Sequence, residues 1–111
     1  MATVRFLPDW SQEQVGDIRA GGPLQIEYDP ERLKDCRSSR YGQPAWSISA
    51  YLRFHPGGQE QSGRVVPEPL EVDVPDDATK IELWFENTDQ TGCVAWDSRH
   101  CQNYWLDVSS P

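Results

Sequence analysis

The sequence predicts an all-β fold: an immunoglobulin-like antiparallel β-sandwich of about seven to eight strands that occupies residues 1–111 as a single domain. Three observations predict it. Nine Pro and eight Gly punctuate the 111 residues at short intervals, as expected for turns about every 8–12 residues. Between these breaks polarity alternates with period two, the pattern of half-buried strands. The apolar fraction is only 37%, yet there are five Trp, four Tyr and three Phe. A few large rings, each able to bury about 150–250 Å², must therefore fill much of the core, and rings favour strands. The length suits one domain with one core.

Residues 3–7 read as the first strand, ended by Pro8-Asp9. Residues 12–20 read as one helical turn or a loop, stopped by Gly21-Gly22-Pro23. In residues 24–28, Leu24, Ile26 and Tyr28 share one face and Gln25 and Glu27 the other. Residues 29–42 are polar and irregular; Pro30 and the surrounding charges forbid a buried strand, so this segment is expected to cap the sandwich. Residues 46–54 carry the strongest strand pattern, with Trp46, Ile48, Ala50, Leu52 and Phe54 inward and Ser47, Ser49, Tyr51 and Arg53 outward. His55-Pro-Gly-Gly breaks it, and residues 64–66 and 70–74 give shorter strands bounded by Pro67, Pro69 and Pro75. In residues 79–87, Ile81, Leu83 and Phe85 point inward, which turns Trp84 outward between Glu82 and Glu86. The last strand, residues 103–108, buries Tyr104, Leu106 and Val108 and turns Asn103, Trp105 and Asp107 to the other face.

The formal charge of −8 and pI near 4.5, with ten scattered Lys and Arg, exclude nucleic acid and disfavour anionic membranes as partners, because phosphate recognition needs clustered cations. Neutral ligands such as sugars, and cations such as calcium, remain open. No run approaches the ~18 apolar residues of a membrane span, and the N-terminus lacks the apolar stretch of a signal peptide. A cytoplasmic chain is the default expectation. Three Cys make no disulfide framework. A bridge between Cys36 and Cys93 would tie the irregular segment to the C-terminal hairpin and point to secretion; two buried thiols in a reducing cytosol are the alternative. Cys101 is then the free, more reactive thiol.

The densest stretch is Gly92-Cys-Val-Ala-Trp96-Asp97 followed by Asn103-Tyr104-Trp105. It resembles the C-terminal end of the starch- and glycogen-binding β-sandwich modules, with Gly92, Trp96, Asp97, Asn103 and Tyr104 at the same relative spacing and residues 81–87 matching their apolar strand. Ser98 and Arg99 stand where those modules carry Asn-Asn, and Cys101 stands where they carry Gly. The wider chain also looks like an uncharacterised bacterial family of small sandwich domains. The first resemblance implies a non-catalytic carbohydrate-binding module with ligand contacts among Trp84, Trp96, Asn103, Tyr104 and Trp105; the second implies only a fold.

The residues support a sugar reading on their own chemistry. A glycan offers apolar ring faces edged by hydroxyls, so its binder needs exposed flat aromatics beside Asn, Asp or Gln. Trp84, Trp105 and Tyr51 fall on the polar sides of their strands, and Asn103 and Asp107 flank Trp105. The competing reading covers these rings with residues 29–42 as a satellite core, in keeping with the usual burial of Trp. An alternative function is a calcium-binding, C2-like structural or interaction domain, with ligands among Asn87, Asp89, Asp97, Asp29 and Asp35; ordinary turn formation explains the same residues. A third reading is a structural module whose partner is another protein. Catalysis is not expected, because His100 and Cys101 are adjacent and point to opposite faces of an extended segment, and no zinc-ligand spacing occurs.

Overall fold

The computed structural model describes residues 1–66, 68–89, 91–99 and 101–110; Pro67 as a strand boundary and the expectation for His100 lie outside them. The chain runs β1 (Ala2–Phe6), β2 (Gln12–Val15), β3 (Pro23–Tyr28), a single 3-10 turn (Pro30–Arg32), β4 (Ser39–Arg40), β5 (Gln43–Pro44), β6 (Trp46–His55), β7 (Glu60–Arg64), β8 (Leu70–Asp73), β9 (Lys80–Asp89), β10 (Val94–Asp97) and β11 (Tyr104–Asp107). Four strands form one sheet in the order β2-β1-β3-β8. Five form the other, β10-β9-β6-β7, with β11 also on β9.

The inner faces of the two sheets supply one core. Val4, Phe6, Leu24, Ile26 and Tyr28 from the first sheet meet Ile48, Leu52, Phe54, Ile81, Leu83 and Phe85 from the second, all buried. Aromatic edges interlock at its centre: the Phe6 and Phe85 ring centres lie 4.7 Å apart at 68°, and Phe6 and Tyr104 lie 5.2 Å apart at 67°. Such edge-to-face pairs contribute about 0.5–1.5 kcal/mol each beyond the area they bury. The all-β sandwich and the inward faces of β1, β3, β6 and β9 follow the polarity pattern.

Four elements differ from expectation. β1 and β3 pair in parallel, Val4 opposite Ile26, so the four-stranded sheet is mixed rather than antiparallel throughout. β2 folds back along the outer edge of β1, and the following residues cross the sheet end to start β3 on β1's other side. Residues 12–15 are therefore a fully exposed edge strand where a helical turn or loop was expected; an edge needs no apolar face, so polarity alone could not mark it. The strand expected at residues 64–66 instead covers Glu60–Arg64, where alternation with Gly63 hid it. A Cβ on Gly63 would stand 2.6 Å from Leu70 Cδ1, so a larger residue there would have to displace the Leu70 side chain. The last strand stands at Tyr104–Asp107 as expected, and Val94–Asp97 forms a further strand in a stretch where none was expected.

The Cys36–Cys93 disulfide is formed and closes a loop with a sequence separation of 57. It joins residues 29–42 to the β9–β10 turn, where Gly92 takes a left-handed φ of 89°. Among the described residues Cys101 is free and exposed. Two outcomes follow. Native protein gives one thiol-reactive cysteine before reduction and three after it, read by thiol titration. Reduction, or Cys36→Ser with Cys93→Ser, lowers the unfolding free energy by about 4 kcal/mol, the loop-entropy value for a loop of this size, read as a lower urea midpoint.

Candidate functional site

The site is built on a buried ion pair. Asp97 ends β10 opposite Phe85 and so points into the sandwich, where its side chain is 1% exposed, as is that of Arg32. Arg32 Nε donates to Asp97 Oδ2 at 2.9 Å, and Arg32 Nη2 donates to the Tyr104 hydroxyl at 2.7 Å. The hydroxyls of Tyr28 and Tyr104 donate to the two carboxylate oxygens at 2.7 and 2.5 Å. Nη1 donates to the carbonyls of Leu7 and Ser11. The guanidinium also packs against the rings of Phe6, Trp10 and Tyr104 at 4.9–5.3 Å. Such a pair is tolerated inside a protein only when its remaining hydrogen-bonding capacity is filled, as it is here.

This network closes one end of the sandwich. The turn that carries Arg32 is fixed by Asp29, whose Oδ1 accepts from the Glu31 amide, and by Pro30. Leu33 then enters the core, and Asn87, fully buried, donates through Nδ2 to the carbonyls of Leu33 and Asp35. Arg37 lies over the Trp46 ring at 4.3 Å. Residues 29–42 thus cap the sandwich end, and these contacts go to its interior side.

The outer face of the five-stranded sheet carries a second aromatic group. Tyr51 faces Trp84 across β6 and β9, Trp96 stands opposite Glu86, and Trp105 stands opposite Glu82. All four rings therefore share one face. Trp96 and Trp105 are 55% and 49% exposed. Trp84 is half-buried, stacked on Tyr51 at 5.9 Å and 10° and covered by the Arg53 guanidinium at 5.5 Å. His55 lies 5.2 Å from the Trp105 ring.

Polar groups lie between the rings. Glu82 Oε2 accepts from Asn103 Nδ2 at 2.6 Å, and Oε1 lies 3.0 Å from His55 Nε2 and 3.6 Å from Arg53 Nη1. Partial burial works against ionisation of Glu82, but the hydrogen bonds from Asn103 and His55 and the nearby Arg53 charge outweigh it and hold its carboxyl below the usual range. Tyr51 donates to Glu86 at 3.2 Å.

Between β10 and β11 the chain leaves β9 for residues 98–103, and Arg99, Cys101 and Asn103 all adopt left-handed φ values of 50–68°. A non-glycine side chain in that region costs about 1–2 kcal/mol, and such strain concentrates at functional sites. This excursion and Trp10, itself left-handed at 69°, wall an open cleft of about 700 Å³ floored by Asp97 and Tyr104, with Trp96 on its rim. Trp96 thus borders both the cleft and the outer face.

Of the ligand-binding residues expected from sequence, Trp84, Trp96, Trp105 and Asn103 come together on one face. Tyr104 does not join them: it is buried, its hydroxyl engaged by Asp97 and Arg32. Of the residues proposed for calcium, Asn87 and Asp35 meet, and the polar groups of most are engaged by protein partners. The Asp97 carboxylate is saturated by Arg32 and two phenols, Asp89 Oδ1 accepts from Thr91 and Cys93 in a local turn, Asp29 caps the 3-10 turn, Asn87 binds two carbonyls, and Asp35 offers one of those carbonyls. Among the described residues no three His, Cys, Asp or Glu side chains could hold a metal ion. Sequence reasoning missed Arg32, Trp10, Arg53, His55 and Glu82. The outward parity of residues 53 and 82 was a usable signal for two of them; Arg32 sat in a charged stretch with nothing to distinguish it.

Asp97→Ala, by leaving Arg32 buried without a counter-charge, is expected to cost about 3–5 kcal/mol of stability, measured by urea denaturation. Replacing both partners, Arg32→Met with Asp97→Leu, is expected to recover only part of that loss, because the Tyr28 and Tyr104 hydroxyls then lose their acceptor; a double variant no more stable than the single would place the loss elsewhere. A pH dependence also follows. Burial first, and then the hydrogen bond to Asp97, push the Tyr28 phenol far above its usual value, and the same causes raise Tyr104 despite the opposing Arg32. Both native pKa values lie above the unfolded value of about 10. The unfolded chain therefore releases these protons first, and stability falls as pH rises past that value. Ultraviolet difference titration is expected to show these phenols ionising together with unfolding.

No curated protein and no solved structure matches the chain significantly. One family model does, over residues 1–109. With nearly its whole length matched, the chain belongs to the family of unknown function DUF6209.

Proposed function

We propose that this domain is a non-catalytic binding module for a neutral glycan, received on the outer face of its five-stranded sheet. One observation carries the reading: Trp96 and Trp105, each about half exposed, stand on the same face, with the Tyr51–Trp84 stack beside them on the neighbouring strands. Clustered exposure of large aromatics on one sheet face marks a binding surface. Apolar sugar faces stack on such rings, while hydroxyls meet the polar groups between them. Glu82 and Glu86 accept hydrogen bonds from hydroxyls, and Arg53 and Asn103 donate. The same two carboxylates, within a chain of net charge −8, repel uronates and sulfated sugars, which leaves neutral chains.

The test is a titration of the full chain with maltohexaose, cellohexaose and chitohexaose, followed by intrinsic Trp fluorescence and by calorimetry. At least one is expected to shift the emission saturably, and Trp105→Ala to abolish most of that response with an unchanged melting temperature. Flat fluorescence and no heat with all three sugars would overturn the proposal.

A further inference from the structure

The arrangement of the rings goes further than the presence of a platform, and this step rests on the glycan reading above. β10 and β11 behave as one interrupted rail along β9: Val94 to Asp97 pair with Thr88 to Phe85, and Tyr104 to Asp107 pair with Leu83 to Lys80, both in regular antiparallel register. The chain between them departs and returns without shifting the direction of the rail. Trp96 and Trp105 are nine residues apart in sequence, yet their partners Glu86 and Glu82 are four apart on β9. At about 3.4 Å per residue the backbone positions of the two rings lie about 14 Å apart along β9.

Trp84 lies on the adjacent strand β9, at the level midway between them. Its faces are taken by Tyr51 and by the Arg53 guanidinium, so it is a floor, and the outer two rings are the seats. The carboxylates stand at the same two levels as the seats, Glu86 opposite Trp96 and Glu82 opposite Trp105. His55 braces the Trp105 ring, and the Trp105 indole donates to the Gln102 carbonyl at 3.1 Å, which holds that seat in place before any ligand arrives. A ligand filling both seats has to be straight over this distance and has to present flat apolar faces at intervals, with hydroxyls along its sides.

We infer that the ligand is a linear, extended β-linked hexose chain, bound lengthwise along β9 with one pyranose on Trp96 and another on Trp105. Equatorial β-linkages keep such a chain straight and leave its ring faces open, with hydroxyls along both edges, within reach of carboxylates beside each seat. An α-linked glucan coils, so pyranoses stacked on one straight rail would turn away before reaching the second seat. The substrate class therefore differs from that of the starch- and glycogen-binding modules that the Gly92–Tyr104 spacing resembles.

Calorimetry of the full chain with cellobiose, cellohexaose, chitohexaose and maltohexaose tests this. Cellohexaose or chitohexaose is expected to bind at least about tenfold more tightly than both cellobiose and maltohexaose, because only a long straight chain fills both seats. Trp96→Ala and Trp105→Ala are each expected to weaken the long β-linked ligand about tenfold, as loss of one anchor ring does, and to bring it down to the affinity of cellobiose, with melting temperatures unchanged. Maltohexaose binding as tightly as the β-linked hexamers would overturn the inference while leaving the glycan module standing. Equal affinity for cellobiose and cellohexaose would likewise remove the two-seat arrangement. Absence of binding by all four would remove the glycan reading itself.

Discussion

The buried pair of Arg32 and Asp97 is the constraint on which the rest of this domain depends. It joins the 3-10 turn after β3 to the end of β10, 65 positions away, and, through Tyr28 and Tyr104, ties in one strand of each sheet. Desolvating two charges is costly, and their attraction offsets that cost only if the geometry is held. The domain holds it with six hydrogen bonds and the rings of Phe6, Trp10 and Tyr104. One consequence is that Trp10 is fixed at the sandwich end, although most of its own surface is exposed. Another is that β10 must end at Asp97, so the chain leaves the sheet there.

That departure shapes the surface. An uninterrupted final strand would place Trp96 and the next outward residue two positions apart. The excursion through residues 98–103 instead returns the chain at Asn103 and sets Trp105 four positions along β9 from Trp96, while left-handed backbone at Arg99, Cys101 and Asn103 makes the tight path possible. The disulfide anchors the other end of β10 to the capping segment. The interior charge network, the covalent tie and the strained excursion thus bear on one short strand, and the exposed rings hang from it and its continuation.

Much of the architecture was legible in the sequence because burial in a sandwich is a two-valued property that alternates with the chain. Residues 46–54 and 81–87 announced their inward faces without ambiguity, and the same parity turned Trp84 and Trp105 outward. Polarity failed where an element has no buried face, as in β2, or where small residues replace large ones, as at Gly63. It also failed at Asp97. A carboxylate beside a turn is ordinarily solvated, and only a cation brought from 65 positions away makes its burial tolerable. Tyr104 was correctly placed in the core by parity, yet the motif spacing had listed it among ligand contacts; its hydroxyl is consumed inside.

The sequence by itself therefore determined the fold class, the strand faces and the fact that several tryptophans point away from the core, because these follow from local periodicity. Tertiary structure alone decided which of those tryptophans stand together, that Trp84 is roofed while Trp96 and Trp105 are open, and that Asp97 is an interior anchor and not a turn residue. Each of these depends on register between strands and on long-range partners. Neither is encoded in the alternation of neighbouring residues, since register and charge pairing are fixed only when separate segments meet and the whole core is closed at once.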